Sequence, residues 1–122
     1  MERIERGWAG HFICAHHCRF RRNTLLKSGD VSIVVSTVGA FYPHNSKNME
    51  TVGFNRWYET MAFFGEEDEN GHIDANVEKQ IEFTSEWGIF GDYETLPNNV
   101  DIVADIMHEA VVAEISAKNF DK

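Results

Sequence analysis

Eight residues from Val31 to Val38, Val-Ser-Ile-Val-Val-Ser-Thr-Val, are almost all β-branched. A second heavy atom on Cβ crowds a helix but packs well on a pleated surface, so this run has to be a strand. Ser28-Gly29-Asp30 is a turn signal in front of it, and Gly39 ends it. Around this strand the chain offers others. Asn23 to Leu26 approaches the turn from the far side. After Thr51-Val52 and Gly53, the segment Arg56 to Phe64 is a strand of bulky aromatics. Glu66 to Gly71, ending in Asn-Gly, reads as a hairpin loop, with His72 to Asp74 and Val77 to Phe83 forming the return strand. Trp8 to Phe20 lacks helical periodicity and reads as extended. Its alternation would put His11, Ile13, Ala15 and His17 on one face and Phe12, Cys14, His16 and Cys18 on the other.

The last third changes period. Pro97-Asn98-Asn99 is a helix start, with either asparagine able to cap a backbone N–H, and Asp101 is a carboxylate suited to the first turn. Val103, Ile106, Met107, Ala110, Val111 and Glu114 then follow an i, i+3, i+4, i+7 stripe that only Glu114 interrupts. The expectation is an α+β domain: an antiparallel sheet of about four to six strands packed by one long C-terminal helix. Its 122 residues suit a single domain over 1–122 with no internal linker, and 43% hydrophobic content suits a packed core rather than disorder. No apolar run reaches the ~20 residues of a membrane span, and the first residues lack a signal peptide's apolar core. A cytoplasmic location follows as the expectation.

Charge is unevenly placed. Six of the eleven Lys and Arg residues fall within the first 27 positions, against only Glu2 and Glu5, so the net charge of −9 comes from the remainder. Such a chain is poorly suited to a nucleic acid polymer or an anionic membrane, yet it holds a local anion-binding cluster in Arg19, Arg21, Arg22 and Asn23. On a strand Arg19 and Arg21 project together and Arg22 points the opposite way. Their forks suit phosphate; a salt-bridged strand facing the acidic helix is the plainer alternative. Asn55, Arg56, Trp57 and Tyr58 form a second cluster, in which Arg56 is the only arginine after position 22. A cation beside aromatic rings supplies what a nucleotide site needs, and Phe83 and Trp87 are further stacking surfaces. His11, Cys14, His16, His17 and Cys18 are ligand types that zinc takes. Strand spacing sets them too far apart for one ion, and no second Cys or His pair completes a structural site, so no metal is expected, though the sequence leaves the question open. No Gly-x-Ser-x-Gly, P-loop, HExxH or dinucleotide glycine pattern occurs, and neither an enzyme nor a cofactor is expected.

Three segments carry a resemblance: Arg6 to Cys14 with Cys18 to Leu25, then Ile33 to Gly39, then Arg56 to Phe63. Together with Asp74 to Val77 and Met107 to Val111, they resemble small proteins of bacteriophages and prophages, and most of all the anti-Thoeris sponge family. The resemblance implies a small α+β chain that assembles into homo-oligomers. It also implies binding of the cyclic ADP-ribose isomers made as an alarm by bacterial Toll/interleukin-receptor enzymes, without cleaving them. Arg56 would match a phosphate-contacting arginine of that family; a second, C-terminal arginine has no counterpart here. The expectation is thus an anti-defence protein of the host bacterial cytoplasm that sequesters a small phosphorylated cyclic nucleotide. Its expected ligand residues are Arg19, Arg21, Arg22, Asn23, Asn55, Arg56, Trp57, Phe83 and Trp87. The alternative from another class is an acidic decoy, a DNA mimic that inhibits a defence nuclease through Glu66 to Glu69 and the polar side of the helix.

Overall fold

The computed structural model describes residues 1–7, 11, 15–44, 46–53 and 55–118. Its strands are β1 (Glu2–Glu5), β2 (Cys18–Ser28), β3 (Val31–Phe41), β4 (Tyr58–Glu67), β5 (Ile73–Ile81) and β6 (Gly88–Ile89), followed by helix α1 (Val100–Ala117). All pairings are antiparallel in the order β1-β2-β3-β4-β5, with β6 also paired to β4. The expected α+β architecture is therefore present. No helix among the described residues is long and apolar enough to cross a membrane.

The β-branched run lies in the centre. Register Ser28↔Val31 leaves Gly29 and Asp30 as a two-residue turn, and Gly29 takes φ +59°, which a residue without Cβ adopts at no steric cost. Every β3 residue from Ile33 to Ala40 is buried because both faces of the strand are covered. On one face Leu26, Ile33, Val35, Ala62 and Ile81 pack against Val111, Val112 and Ile115 of α1. On the other, Leu25 and Val34 meet Ile73, while Val38 packs with Ala15, Cys18 and Val52. At the helix N-terminus Tyr58 lies across Gly39, its partner on β3, so closely that a Cβ there would sit 2.1 Å from the ring. The Tyr58 hydroxyl donates to Asp101 at 2.5 Å and ties the first turn of α1 to the sheet.

The helix is turned from the expected stripe. Met107 and Val111 face the sheet, but the buried set is Ala104, Met107, His108, Val111, Val112 and Ile115. Val103 and Ile106 are exposed at 36% and 65%, and Ala110 is exposed. His108 is not a member of the apolar stripe, yet its imidazole is fully buried and both ring nitrogens have partners. Its Nε2 lies 2.7 Å from Thr24 Oγ1 and its Nδ1 2.6 Å from Thr37 Oγ1, which in turn is 2.6 Å from Thr60 Oγ1. Thr24 donates its hydroxyl proton to Glu5 at 2.6 Å, so its oxygen accepts the proton on Nε2. Nδ1 then accepts from Thr37, and Thr37 accepts from Thr60. Each proton is used once, and the ring is neutral. Burial, with Arg22 nearby, pushes its pKa down to about 4.

Several other expectations are corrected. β1 was not foreseen because Glu-Arg-Ile-Glu is charged and exposed, as an edge strand tends to be. Its charges are used: Arg3 pairs with Glu109, and Glu5 receives Arg22 at 2.8 Å. The aromatic strand begins at Tyr58 rather than Arg56, since Gly53 to Arg56 closes a tight turn (Arg56 N–H to Gly53 O, 2.7 Å). Ala15–His17 is a 3-10 turn rather than extended chain; the remainder of the expected Trp8–Phe20 strand falls largely outside the described residues. Asn99 occupies the N-cap but makes no side-chain capping bond.

Two outcomes test this packing. A neutral His108 binds a proton more weakly folded than unfolded, so stability should fall as pH drops from 6.5 towards 4. The loss before the carboxylates titrate should be about 2–3 kcal/mol in urea unfolding. Gly39→Ala forces the Tyr58 ring out of its seat and should lower stability by about 2 kcal/mol or more at any pH.

Candidate functional site

Strand β4 changes partner along its length. Ala62 pairs with Ile81 of β5, whereas Tyr58 and Glu59 pair with Ile89 and Gly88 of β6. Residues 82–87 leave the sheet between these pairings and return where Thr60 N–H donates to Trp87 O at 2.8 Å. Glu114 of α1 holds the detour. Its carboxylate accepts from Ser85 Oγ (2.7 Å), Thr84 N–H (2.7 Å), Ser85 N–H (2.8 Å) and Thr84 Oγ1 (3.1 Å). These donors, the Ser85 hydroxyl first, hold its pKa at about 2. The residue that interrupted the apolar stripe is thus a fastening for a loop.

The detour walls a cavity of about 480 Å³ whose lining includes Arg56, Glu59, Met61, Gln80, Phe83 and Trp87. The Arg56 guanidinium carbon stands 5.2 Å from the centroid of the half-exposed Trp87 ring. Arg56 also pairs with Glu59 three residues on, and Glu59 continues inward. Its Oε1 is 2.8 Å from His11 Nε2, and His11 Nδ1 is 2.9 Å from Ser36 Oγ, which also accepts the His11 backbone N–H at 3.1 Å. Burial alone would raise the Glu59 pKa; the His11 hydrogen bond and the Arg56 charge outweigh it and hold the carboxyl below its usual range. A carboxylate only accepts, so His11 carries its proton on Nε2 and offers Nδ1 to the Ser36 hydroxyl. Ser36 in turn lines a second cavity of about 200 Å³, beside Arg6, Asn23 and Asp74. Chemically, the arrangement joins a stacking pocket to a Ser–His–carboxylate chain in which the base is oriented by an acid.

The expected ligand residues divide among several places. Arg56, Phe83 and Trp87 share the larger cavity. Trp57 does not: its Nε1 donates to Gly91 O at 2.8 Å and its ring packs edge-on against Tyr93. Asn55 sits in the exposed turn before it, at φ +65°. Arg19 and Arg21 line a different cavity, with His16, His17 and His44. Arg22 projects to the helix side, as alternation requires, and is bound there by Glu5 and Glu109 at 2.8 Å and by Asp105 at 3.4 Å. Asn23 is buried and accepts from Arg6 Nε at 2.8 Å. Glu59, His11, Ser36 and Gln80 were not expected. The available signal was Glu59, an acid set among the aromatic, Thr, Met and Ala residues of the Trp57-to-Phe64 segment. Cys14, among the residues considered for zinc, lies outside the described residues; among those described, no three His, Cys, Asp or Glu side chains are placed to hold a metal ion.

Comparison with protein-family models, with curated proteins and with solved structures gives no match to this chain. Its chemistry has to be read from its own geometry.

If Glu114 fastens the cavity wall, Glu114→Ala should free residues 82–87 without unfolding the sheet. Amide exchange at Thr84 and Ser85 should accelerate by about tenfold or more, with exchange in β3 unchanged.

Proposed function

We propose that the protein binds a small nucleotide in the cavity between β5 and β6, and that it sequesters a cyclic nucleotide alarm signal for a phage in its host. The observation that carries this reading is the Arg56 guanidinium over the Trp87 ring, 5.2 Å from its centroid, in a cavity of about 480 Å³. A volume of that order suits a ligand of nucleotide size. Trp87 and Phe83 offer flat apolar surfaces for a base, Glu59 and Gln80 offer polar atoms for its edge, and Arg56 offers charge for a phosphate. The likeness of the Arg56-to-Phe63 segment to the anti-Thoeris sponges supports a cyclic ADP-ribose isomer as the ligand. A sponge of this kind acts by holding its ligand, so affinity and intact release are the properties that matter.

A second reading is favoured by one specific observation, the Ser36–His11–Glu59 chain. With Nδ1 facing the hydroxyl and Glu59 on Nε2, it has the parts of an activated serine; because Ser36 lines the cavity of about 200 Å³ and not the one beside Trp87, the protein would then cleave a group that reaches this smaller cavity.

Isothermal titration against cyclic ADP-ribose isomers and cyclic di- and trinucleotides, followed by heat release and chromatography, separates the two. A sponge binds tightly and returns its ligand unchanged, and Arg56→Ala with Trp87→Ala should weaken binding about a hundredfold, roughly 3 kcal/mol. Recovery of product, abolished by Ser36→Ala, would establish the hydrolytic reading. Silence across the panel would remove both.

A further inference from the structure

A second basic feature lies where β2 begins and β3 ends, sharing no lining residue with the Arg56 cavity. A cavity of about 410 Å³ opens there among His16, His17, Arg19, Arg21, His44 and Ser46. The fold builds it deliberately from separate segments. The 3-10 turn Ala15–His17 presents two imidazoles, and buried Cys18 anchors the strand that follows. Tyr42 N–H donates to His17 O at 3.0 Å and so brings the end of β3 alongside. The turn closed by Ser46 N–H on Pro43 O, at 2.8 Å, then carries His44 across.

The result concentrates like charge. The His16 and His17 ring centroids are 4.0 Å apart, and those of His17 and His44 6.0 Å. The Arg19 guanidinium lies 3.9 Å over the Tyr42 ring, which fixes a cation at the rim. Among the lining residues described there is no Asp or Glu, in a chain with twenty of them. Among the described residues, the other titratable groups lining the cavity are the Tyr42 phenol and the Cys18 thiol. Three imidazole rings and two guanidiniums share one space, so a proton taken up by a ring adds to the positive charge there and an anion entering offsets it. Even without one, some burial and the neighbouring His16 and His44 hold the His17 pKa below its ordinary value.

We propose that this cavity is a site for a multiply charged phosphate group, such as a pyrophosphate or phosphate ester, that binds more tightly as the pH falls. Arg19 and Arg21 supply permanent charge, and the histidines take up protons when the anion enters. Proton uptake and anion affinity are then linked, each strengthening the other. The site does not rest on the nucleotide reading of the Arg56 cavity.

The test uses the whole chain and sodium pyrophosphate as the probe, titrated by calorimetry at pH 6.0 and 7.5, with the histidine ring resonances followed by NMR. The expected result is saturable binding at pH 6.0, about tenfold weaker at pH 7.5, with net proton uptake shown by the dependence of enthalpy on buffer. Arg19→Ala with His44→Ala, both at exposed positions, should lower affinity at pH 6.0 by about tenfold or more, while Arg56→Ala with Trp87→Ala should leave it unchanged. Absence of saturable binding at pH 6.0, or binding indifferent to Arg19→Ala with His44→Ala, would overturn the proposal. So would ring resonances that move with zinc and stay still with pyrophosphate.

Discussion

Glu59 is a carboxylate held at 10% side-chain exposure in the middle of an antiparallel sheet, and much of the molecule is arranged around keeping it there. An ionised group so placed is tolerated only if its lone pairs are taken up. Arg56 and His11 do this from two different loops, one before β4 and one before β2. Arg56 is thereby drawn in from the tight turn at Gly53 and set beside Trp87. His11 is drawn over the opposite sheet face and set on Ser36. The cavity and the serine chain are consequences of one buried charge.

The next residue on the same strand meets the opposite requirement. Thr60 points to the helix side and begins a neutral chain through Thr37, His108 and Thr24 that reaches charge only at Glu5, near the surface. Two buried polar networks therefore stand back to back on β4, separated by the thickness of the sheet. The ionic one opens into a cavity through Glu59; the neutral one reaches that cavity's wall only at Thr60, and its imidazole is fully buried beneath α1. That difference supports the nucleotide proposal, since a charge kept beside an accessible space can act on what enters it, while the His108 ring is fully buried. The sealed chain also specifies the rotation of α1, because only one setting of the helix brings His108 between the two threonines.

The legible parts of this fold were those that local chemistry determines. The β-branched run, the Gly29 turn, the Asn70-Gly71 hairpin and the existence of a C-terminal helix each follow from a few neighbouring residues. So does the division of Arg19 and Arg21 from Arg22, which needs only alternation. What escaped depended on partners distant in the chain. His108 falls outside the apolar stripe and has no assigned place until Thr24 and Thr37 are brought to it. Glu114 likewise reads as a flaw in a stripe until Thr84 and Ser85 arrive. The exchange of β5 for β6 beside β4 has no local signature at all, because it lies in the path of residues 82–87 and not in their propensity. For the candidate site the consequence is specific: Arg56, Phe83 and Trp87 are named as a cation beside rings, whereas the role of Glu59, which joins Arg56 to His11, appears only when His11 is brought to it from far along the chain.

Alternation also explains how one short basic segment serves two ends. Arg22 is spent on the fold, clamped among Glu5, Asp105 and Glu109 where β1, β2 and α1 meet. Arg19 and Arg21, one residue to either side of Phe20, turn to the other face, where among the described residues no acidic side chain lines the cavity they share with the histidines. The acids of this chain are numerous enough that excluding them from one cavity is itself a structural outcome. Under the phosphate proposal, a cationic space in an anionic protein would gather small anions while the net negative field around it disfavours large ones. Size selection of that kind needs no gate. It follows from where eleven positive charges stand among twenty negative ones.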